Sequence, residues 1–368
     1  MTICLSHGGP TTYSSEEPSN RLLVATVRGV ATLERAGAGE PWNETGRALE
    51  EHHAIAIARE PESGVVLAST HDAGLFISED DGQSWDKRTN GIASDNVYCV
   101  NYVRTNGDMR LFAGTEPAHL YVSDDLGRNW RELASLLSMP SVTNWTFPAP
   151  PHDAHVINVS IHPEDPDTVY ACVEQGGLFK TTDGGETWQE LQGFNDDVHR
   201  VLILSSNPDR LFLPTGYGFY RSDDAGENWN ELSERIRPIG YPDPMVVNPL
   251  DEDVMFVCGG DADPYHWMQS KSANPKVART RNGGESWEIV DNGMPPRLDA
   301  SFEAMCINAW PGGSSIYAAN TDGELWATDD EGESWQCVAS GLSPISKTIH
   351  HNILQKDLSF DKHERQEA

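Results

Sequence analysis

Six times the chain writes Ser/Thr-x-Asp-x-Gly-x-x-Trp, and this repetition constrains its fold more than any other feature. The copies run from Ser78, Asp80, Gly82 and Trp85 through Ser123 to Trp130, Thr181 to Trp188 and Ser222 to Trp229. They continue from Thr280 to Trp287, where Asn282 replaces the aspartate, and from Thr328 to Trp335. A worn seventh copy keeps only Gly39 and Trp42, and successive tryptophans are 41 to 58 residues apart. Self-similarity at such a period marks a repeat architecture. Within a copy, Ser/Thr and Asp side chains suit the amides of a tight turn, Gly suits its positive φ, and Trp opens the next strand with a large apolar ring. Each copy therefore reads as a hairpin with a rigid tip, and its residues are assigned no chemistry.

Around each box the chain alternates short apolar runs with turns, giving four strands per repeat. In the third copy these are His155–Ile161, Thr168–Val173, Gly177–Thr181 and Trp188–Leu191, named A to D from the inside outwards. No convincing amphipathic helix appears. Residues 21–49 supply strands B, C and D without an A, whereas the C-terminus offers an unaccompanied strand A at Ile349–Leu354. Joining the two would close a ring and remove its free edges. The expected fold is all-β: a seven-bladed β-propeller over residues 21–355, with the C-terminal strand completing the N-terminal blade. Residues 1–20 are expected to be a polar tail, and residues 356–368 a charged one.

On these boxes the chain resembles the BNR/Asp-box repeat superfamily. That superfamily includes sialidases, xyloglucan-cleaving glycosidases, sortilin-type receptors and a photosystem assembly factor. The resemblance implies a propeller with the boxes away from the functional face, and says little about activity. The Phe-Arg-Ile-Pro segment of sialidases has only a poor match here, at Arg235-Ile236-Arg237-Pro238.

Net charge is −31, from 57 acidic and 26 basic residues. Such a field disfavours nucleic acid and anionic membranes. The N-terminus lacks the basic and apolar regions of a signal peptide, and no run is long enough to span a bilayer. Six scattered cysteines without paired spacing are expected to be reduced core residues, which points to a cytoplasmic protein. Oligomeric state is left open.

Function is sought where D–A and B–C loops meet, on the face opposite the boxes. Two insertions fall there: Leu133 to Ala154, with Trp145 and Phe147, and Gly259 to Pro275, with Asp261, Asp263, Tyr265, His266 and Trp267. Long aromatic loops on a rigid scaffold commonly bind ligands, and Trp145, Asp261, Tyr265, His266 and Trp267 are the candidate substrate contacts. The strand A starts place His53, Asn96, His155, His199 or Arg200, Tyr241, Glu303 and His351 around the channel mouth. Imidazoles converging on one axis suit a divalent transition metal such as Zn, Mn, Fe, Ni or Cu. His53, His155, His199 and His351 are the expected ligands, and Glu303, Tyr241 and Arg200 the expected catalytic groups. The expected function is a metal-dependent lyase, hydrolase or oxygenase acting on a small or carbohydrate-like molecule. The alternatives are a carboxylate-dependent glycoside hydrolase, for which Glu116, Glu174, Asp261, Asp263 and Glu303 lie near the same face, and a non-catalytic scaffold for protein or glycan.

Overall fold

The computed structural model describes residues 1–105 and 107–354; the charged tail expected at 356–368 lies outside them. Seven sheets are arranged as blades of a propeller, each from one run of chain except that a strand from near the N-terminus joins the seventh. Blades 2 to 7 have inner strands at Ala54–Arg59, Val97–Thr105, His155–Ile161, Leu202–Ile203, Tyr241–Val247 and Phe302–Trp310. Within these blades successive strands pair antiparallel, so A–B and C–D turns share one face and D–A and B–C loops the other. The A–B turns bond to the box turns, as where Gly184 N donates to Asp167 O.

The boxes are built as their composition dictates. Thr181 Oγ1 donates to Asp183 Oδ1 at 2.7 Å and accepts from Gly185 N at 3.0 Å. Asp183 Oδ1 also accepts from Thr187 N at 2.9 Å. Gly184 and Gly185 have φ of 69° and 90°, consecutive left-handed residues that reverse the chain in two steps. Blades adhere through wedges of apolar side chains: Ala56, Leu67 and Leu75 of blade 2 pack against Leu111, Ala113 and Tyr121 of blade 3. Each fully buried leucine there contributes about 1.5–3 kcal/mol.

The ring closes differently from expectation. Residues 1–20 are not a tail: β1 (Thr2–Leu5) is fully buried and pairs in parallel with Arg21–Val24, taking the strand A place of blade 1. Further on, β2 (Thr12–Ser14) runs parallel to the inner strand of blade 7. Between them residues 6–11 cross the channel as a strap. Ser6 bonds both backbone groups of Ile57, and Thr11 Oγ1 donates to Met245 O at 3.3 Å. Glycine is needed here, since a Cβ on Gly8 would lie 2.1 Å from Tyr98 O and one on Gly9 2.1 Å from Ile57 O. The expected C-terminal strand is instead a short helix, His350–Leu354. It packs against a second short helix in the long B–C loop, Pro264–Ser270, N-capped by Asp263, through Leu354, Ile353 and Trp267. A four-residue parallel strand already fills the inner edge of blade 1, so the C-terminus has no edge left to join.

All six cysteines are free, five of them buried, and no helix among the described residues is long and apolar enough to cross a membrane.

Candidate functional site

Before the helix His350–Leu354 the chain dips into the channel mouth, and this segment organises the groups around it. Lys347, 1% exposed, reaches Asp243 Oδ2 at 2.6 Å and Glu174 Oε1 at 3.5 Å, beside the Tyr241 ring. Burial opposes its charge, yet Asp243 and Glu174 outweigh that cost and hold its pKa well above the ordinary value. Burial likewise pushes Asp243 up, but Lys347 and His7 hold it well below the carboxylate range.

Of the four histidines predicted as metal ligands, one, His53, serves the segment carrying Lys347, and His71, which was not among them, does the same. His53 Nε2 donates to Ser346 O at 2.7 Å and His71 Nε2 to Lys347 O at 3.1 Å. Burial lowers their pKa values to about 4 and about 3, so both are neutral donors at neutral pH. His351 stands edge-on to His53, with ring centroids 5.8 Å apart. His155 donates from Nε2 to Glu174 Oε2 at 2.7 Å and stacks on Tyr98 at 3.8 Å. His350 rather than His351 bonds Glu303, at 3.0 Å. Burial disfavours ionised Glu303, but His350 and then Lys347 bring its pKa down to about 2.

Only His199 of the four belongs to a compact ligand set. Its Nδ1 donates to Pro242 O at 2.8 Å, which leaves the Nε2 lone pair facing Glu174 Oε1 and Asp197 Oδ1, each 3.9 Å away. One ligand atom from each of Glu174, Asp197 and His199 lies within 4.8 Å of the others, and all three residues are buried. Neither Asp197 Oδ1 nor His199 Nε2 has a hydrogen-bond partner among the described residues. Gly216 makes room for the aspartate: a Cβ there would sit 1.9 Å from Asp197 Oδ2. Burial, then the neighbouring Glu174 charge, raises the Asp197 carboxyl to about 8. Burial also pushes Glu174 up, but Lys347 and His155 prevail and keep it ionised. His199 is lowered to about 4 by burial and then by Lys347.

The remaining predicted residues separate. Tyr241 stays at the cluster, 5% exposed, its ring 4.7 Å from that of His199. Arg200 points away from the mouth, to the strap carbonyls of His7 and Gly9. Trp267, expected to meet substrate, is 1% exposed and belongs to the core beneath the two short helices. Trp145 packs on Phe179. Asp261 lies on the exposed surface, where it accepts from Asn274 Nδ2. Tyr265 and His266 are exposed on the same rim as Tyr217, which donates to Asp263.

Three central residues escape sequence reasoning. Asp243 had a readable sign, a charged residue between prolines in an otherwise apolar inner strand. Asp197 lies two residues before His199 and was within reach of the same register count. Lys347 sits in a stretch without periodicity, and nothing local marks it.

The protein is thus a single seven-bladed propeller of Asp-box repeats, with an ionisable cluster sealed into its channel mouth. A family model for sortilin and neurotensin receptor 3, Sortilin-Vps10, matches residues 176–303. A Paenibacillus xyloglucanase is 24% identical over 229 residues, covering 52% of this chain and 21% of that protein. The photosystem II assembly lipoprotein Ycf48 of Prochlorococcus marinus is 23% identical over 208 residues, covering 55% and 53%. The chain therefore spans only part of each relative. Among solved structures, the GH74 enzyme of Niastella koreensis superposes with a TM-score of 0.64 at 17% identity, over 91% of this chain and 55% of that one. Ycf48 bound to D1 peptide superposes at 0.56 and 16% identity, over 85% and 91%. At these identities the likeness establishes the fold.

Proposed function

We propose that the channel mouth is the centre of a metal-dependent enzyme, a hydrolase or lyase acting on a small or carbohydrate-like molecule. The observation that carries this reading is the triangle of Glu174, Asp197 and His199. Two of the distances are 3.9 Å and one ligand atom of each residue lies within 4.8 Å of the others, a spacing that one ion at the roughly 2.0–2.6 Å bond lengths of zinc and calcium can bridge. An imidazole with two carboxylates suits zinc, manganese or iron. Two of the three atoms are buried without partners, a costly arrangement that a cation relieves.

A bound cation would polarise a carbonyl or lower the pKa of a bound water. His155 orients Glu174 through its 2.7 Å bond, and Pro242 O orients His199. Glu116, beside His155 Nδ1 at 3.6 Å and bonded to the Tyr98 hydroxyl, is placed for proton transfer at the mouth. Exposed Tyr217, Tyr265 and His266 are the rim contacts for substrate.

A second reading, a non-catalytic scaffold for peptide or glycan, is favoured by the burial of Lys347 over the cluster and by the fold likeness to the D1-bound Ycf48 structure. A third, carboxylate-dependent glycoside hydrolysis by Glu174 and Asp197, draws support from the xyloglucanase likeness. Elemental analysis of protein purified without a His tag or chelator separates them. The expected result is one transition metal per chain, lost together with activity on a panel of glycosides, esters and lactones in Asp197→Asn and His199→Gln variants whose circular dichroism is unchanged. Protein that stays metal-free in excess zinc and manganese overturns the proposal.

A further inference from the structure

We propose a second site at the opposite end of the channel, in which Arg200 binds a small oxyanion, a carboxylate or phosphate. Arg200 is 6% exposed. Its Nη1 donates to Gly9 O at 3.3 Å and its Nη2 to His7 O, while Nε has no partner among the described residues. Carbonyls accept its hydrogens but do not neutralise its charge. None of the ion pairs among the described residues includes it. The buried carboxylate acting most strongly on it, Asp243, already spends its two oxygens on His7 and Lys347.

A guanidinium taken out of water without a counter-charge is costly, and natural interiors pair it. Arg279, 2% exposed, meets Glu288 and Glu333. Arg35, 8% exposed, also lacks an acid, but its guanidinium lies 4.7 Å over the Trp42 ring. Arg200 instead borders a cavity of about 210 Å³ beneath the strap. The cavity is lined on its polar side by Thr11, Asn101, Asn158, Ser160 and Ser205. At roughly 30 Å³ per water it has room for an anion of several heavy atoms. Its one acidic lining residue, Glu252, is turned to the amides of Ser205 and Ser206. The Thr11 and Ser160 hydroxyls donate to Met245 O and Val201 O. The donors for an anion are therefore Arg200 Nε, the Asn158 amide and the Ser205 hydroxyl, and a planar guanidinium matches the geometry of carboxylate and phosphate. The protein carries 31 more negative than positive charges, so a site for an anion must be built against that field, and burial of the arginine supplies the local sign.

The test is a titration of the full chain with sodium phosphate, sulfate, acetate and malonate against sodium chloride at equal ionic strength. Thermal unfolding and calorimetry are read together. The expected result is a saturable rise in Tm with one site per chain for an oxyanion and none for chloride; the order of phosphate against the carboxylates identifies the class. Arg200→Gln is expected to lose the response, but it also frees the strap. Asn158→Asp therefore serves as the second variant, an isosteric change that places a carboxylate in the cavity. It is expected to weaken oxyanion binding at least tenfold and to raise Tm in chloride alone. The response is expected to persist in His199→Gln, which separates this site from the channel mouth. Absence of a saturable oxyanion effect in the wild-type protein, or an undiminished effect in Asn158→Asp, overturns the proposal.

Discussion

Glu60 shows how much one side chain can settle between two blades. It is 1% exposed at the end of the inner strand of blade 2 and accepts from Arg104 Nη2 of blade 3 at 2.8 Å. It also accepts from Ser63 N at 2.7 Å and Glu62 N at 3.1 Å. The Arg104 bond, against the cost of burial and with help from Ser63, lowers its carboxyl from 4.5 to about 2. The folded state thus favours the ionised form. Its contribution is fully present above pH 4.5 and is lost as the pH falls from there through about 2. Glu60→Gln is expected to cost about 1–3 kcal/mol at pH 7, with the difference from wild type shrinking by pH 3. Urea unfolding at the two pH values checks it; an equal difference at both would refute the assignment. At this scale the channel histidines were legible as lying near the strand A starts, because the repeat register locates those starts, although of the four expected ligands only His155 lies within a strand. Their role was not, because His53 and His71 answer to carbonyls of Ser346 and Lys347, almost three hundred residues away.

At the scale of the element, the Asp box was readable because its bonds are local. Every partner of Asp183 lies within four residues, so composition alone dictates the turn. The fifth copy provides a natural control. Asn282 keeps the acceptor role through Oδ1 to Ser286 N at 2.9 Å, and its Nδ2 donates to Ser286 Oγ at 2.9 Å. Geometry rather than charge therefore holds the turn. Asp183→Asn is expected to change stability by less than about 0.5 kcal/mol, and Asp183→Ala to cost about 1 kcal/mol through orphaned amides. Chemical denaturation of the two variants tests the ranking, and equal losses would show that the charge matters. Strands β1 and β2 were illegible for the opposite reason. Four residues followed by a His-Gly-Gly-Pro run carry no period, and β2 pairs with residues 307–309.

At the scale of the molecule, a propeller must prevent its first and last blades from parting. Here the strand pairing of β1 and β2 is joined by one carboxylate that both terminal segments share. Asp243, in the inner strand of blade 6, accepts from His7 Nε2 of the N-terminal strap at 3.0 Å and from Lys347 Nζ of the C-terminal segment at 2.6 Å. The N-terminal strap, leading out of β1, and the segment before the helix His350–Leu354 thus meet on the same buried group, 5% exposed. Replacing it by asparagine leaves Glu174, at 3.5 Å, as the nearest carboxylate to the Lys347 ammonium. Breaking such a buried pair costs about 3–5 kcal/mol. At roughly 2 °C per kcal/mol for a chain this long, Tm of Asp243→Asn is expected to fall by about 6–10 °C. The loss should also be local in a way that ordinary core damage is not. β1 and the segment before the helix His350–Leu354 would loosen together while the blades between them keep their wedges. Limited proteolysis is expected to cut Asp243→Asn first within residues 6–20 and 341–349, at least tenfold faster than wild type, leaving one large fragment. A variant cleaved in only one segment would show that the two segments are held separately, and one cleaved no faster in either would remove Asp243 from the closure.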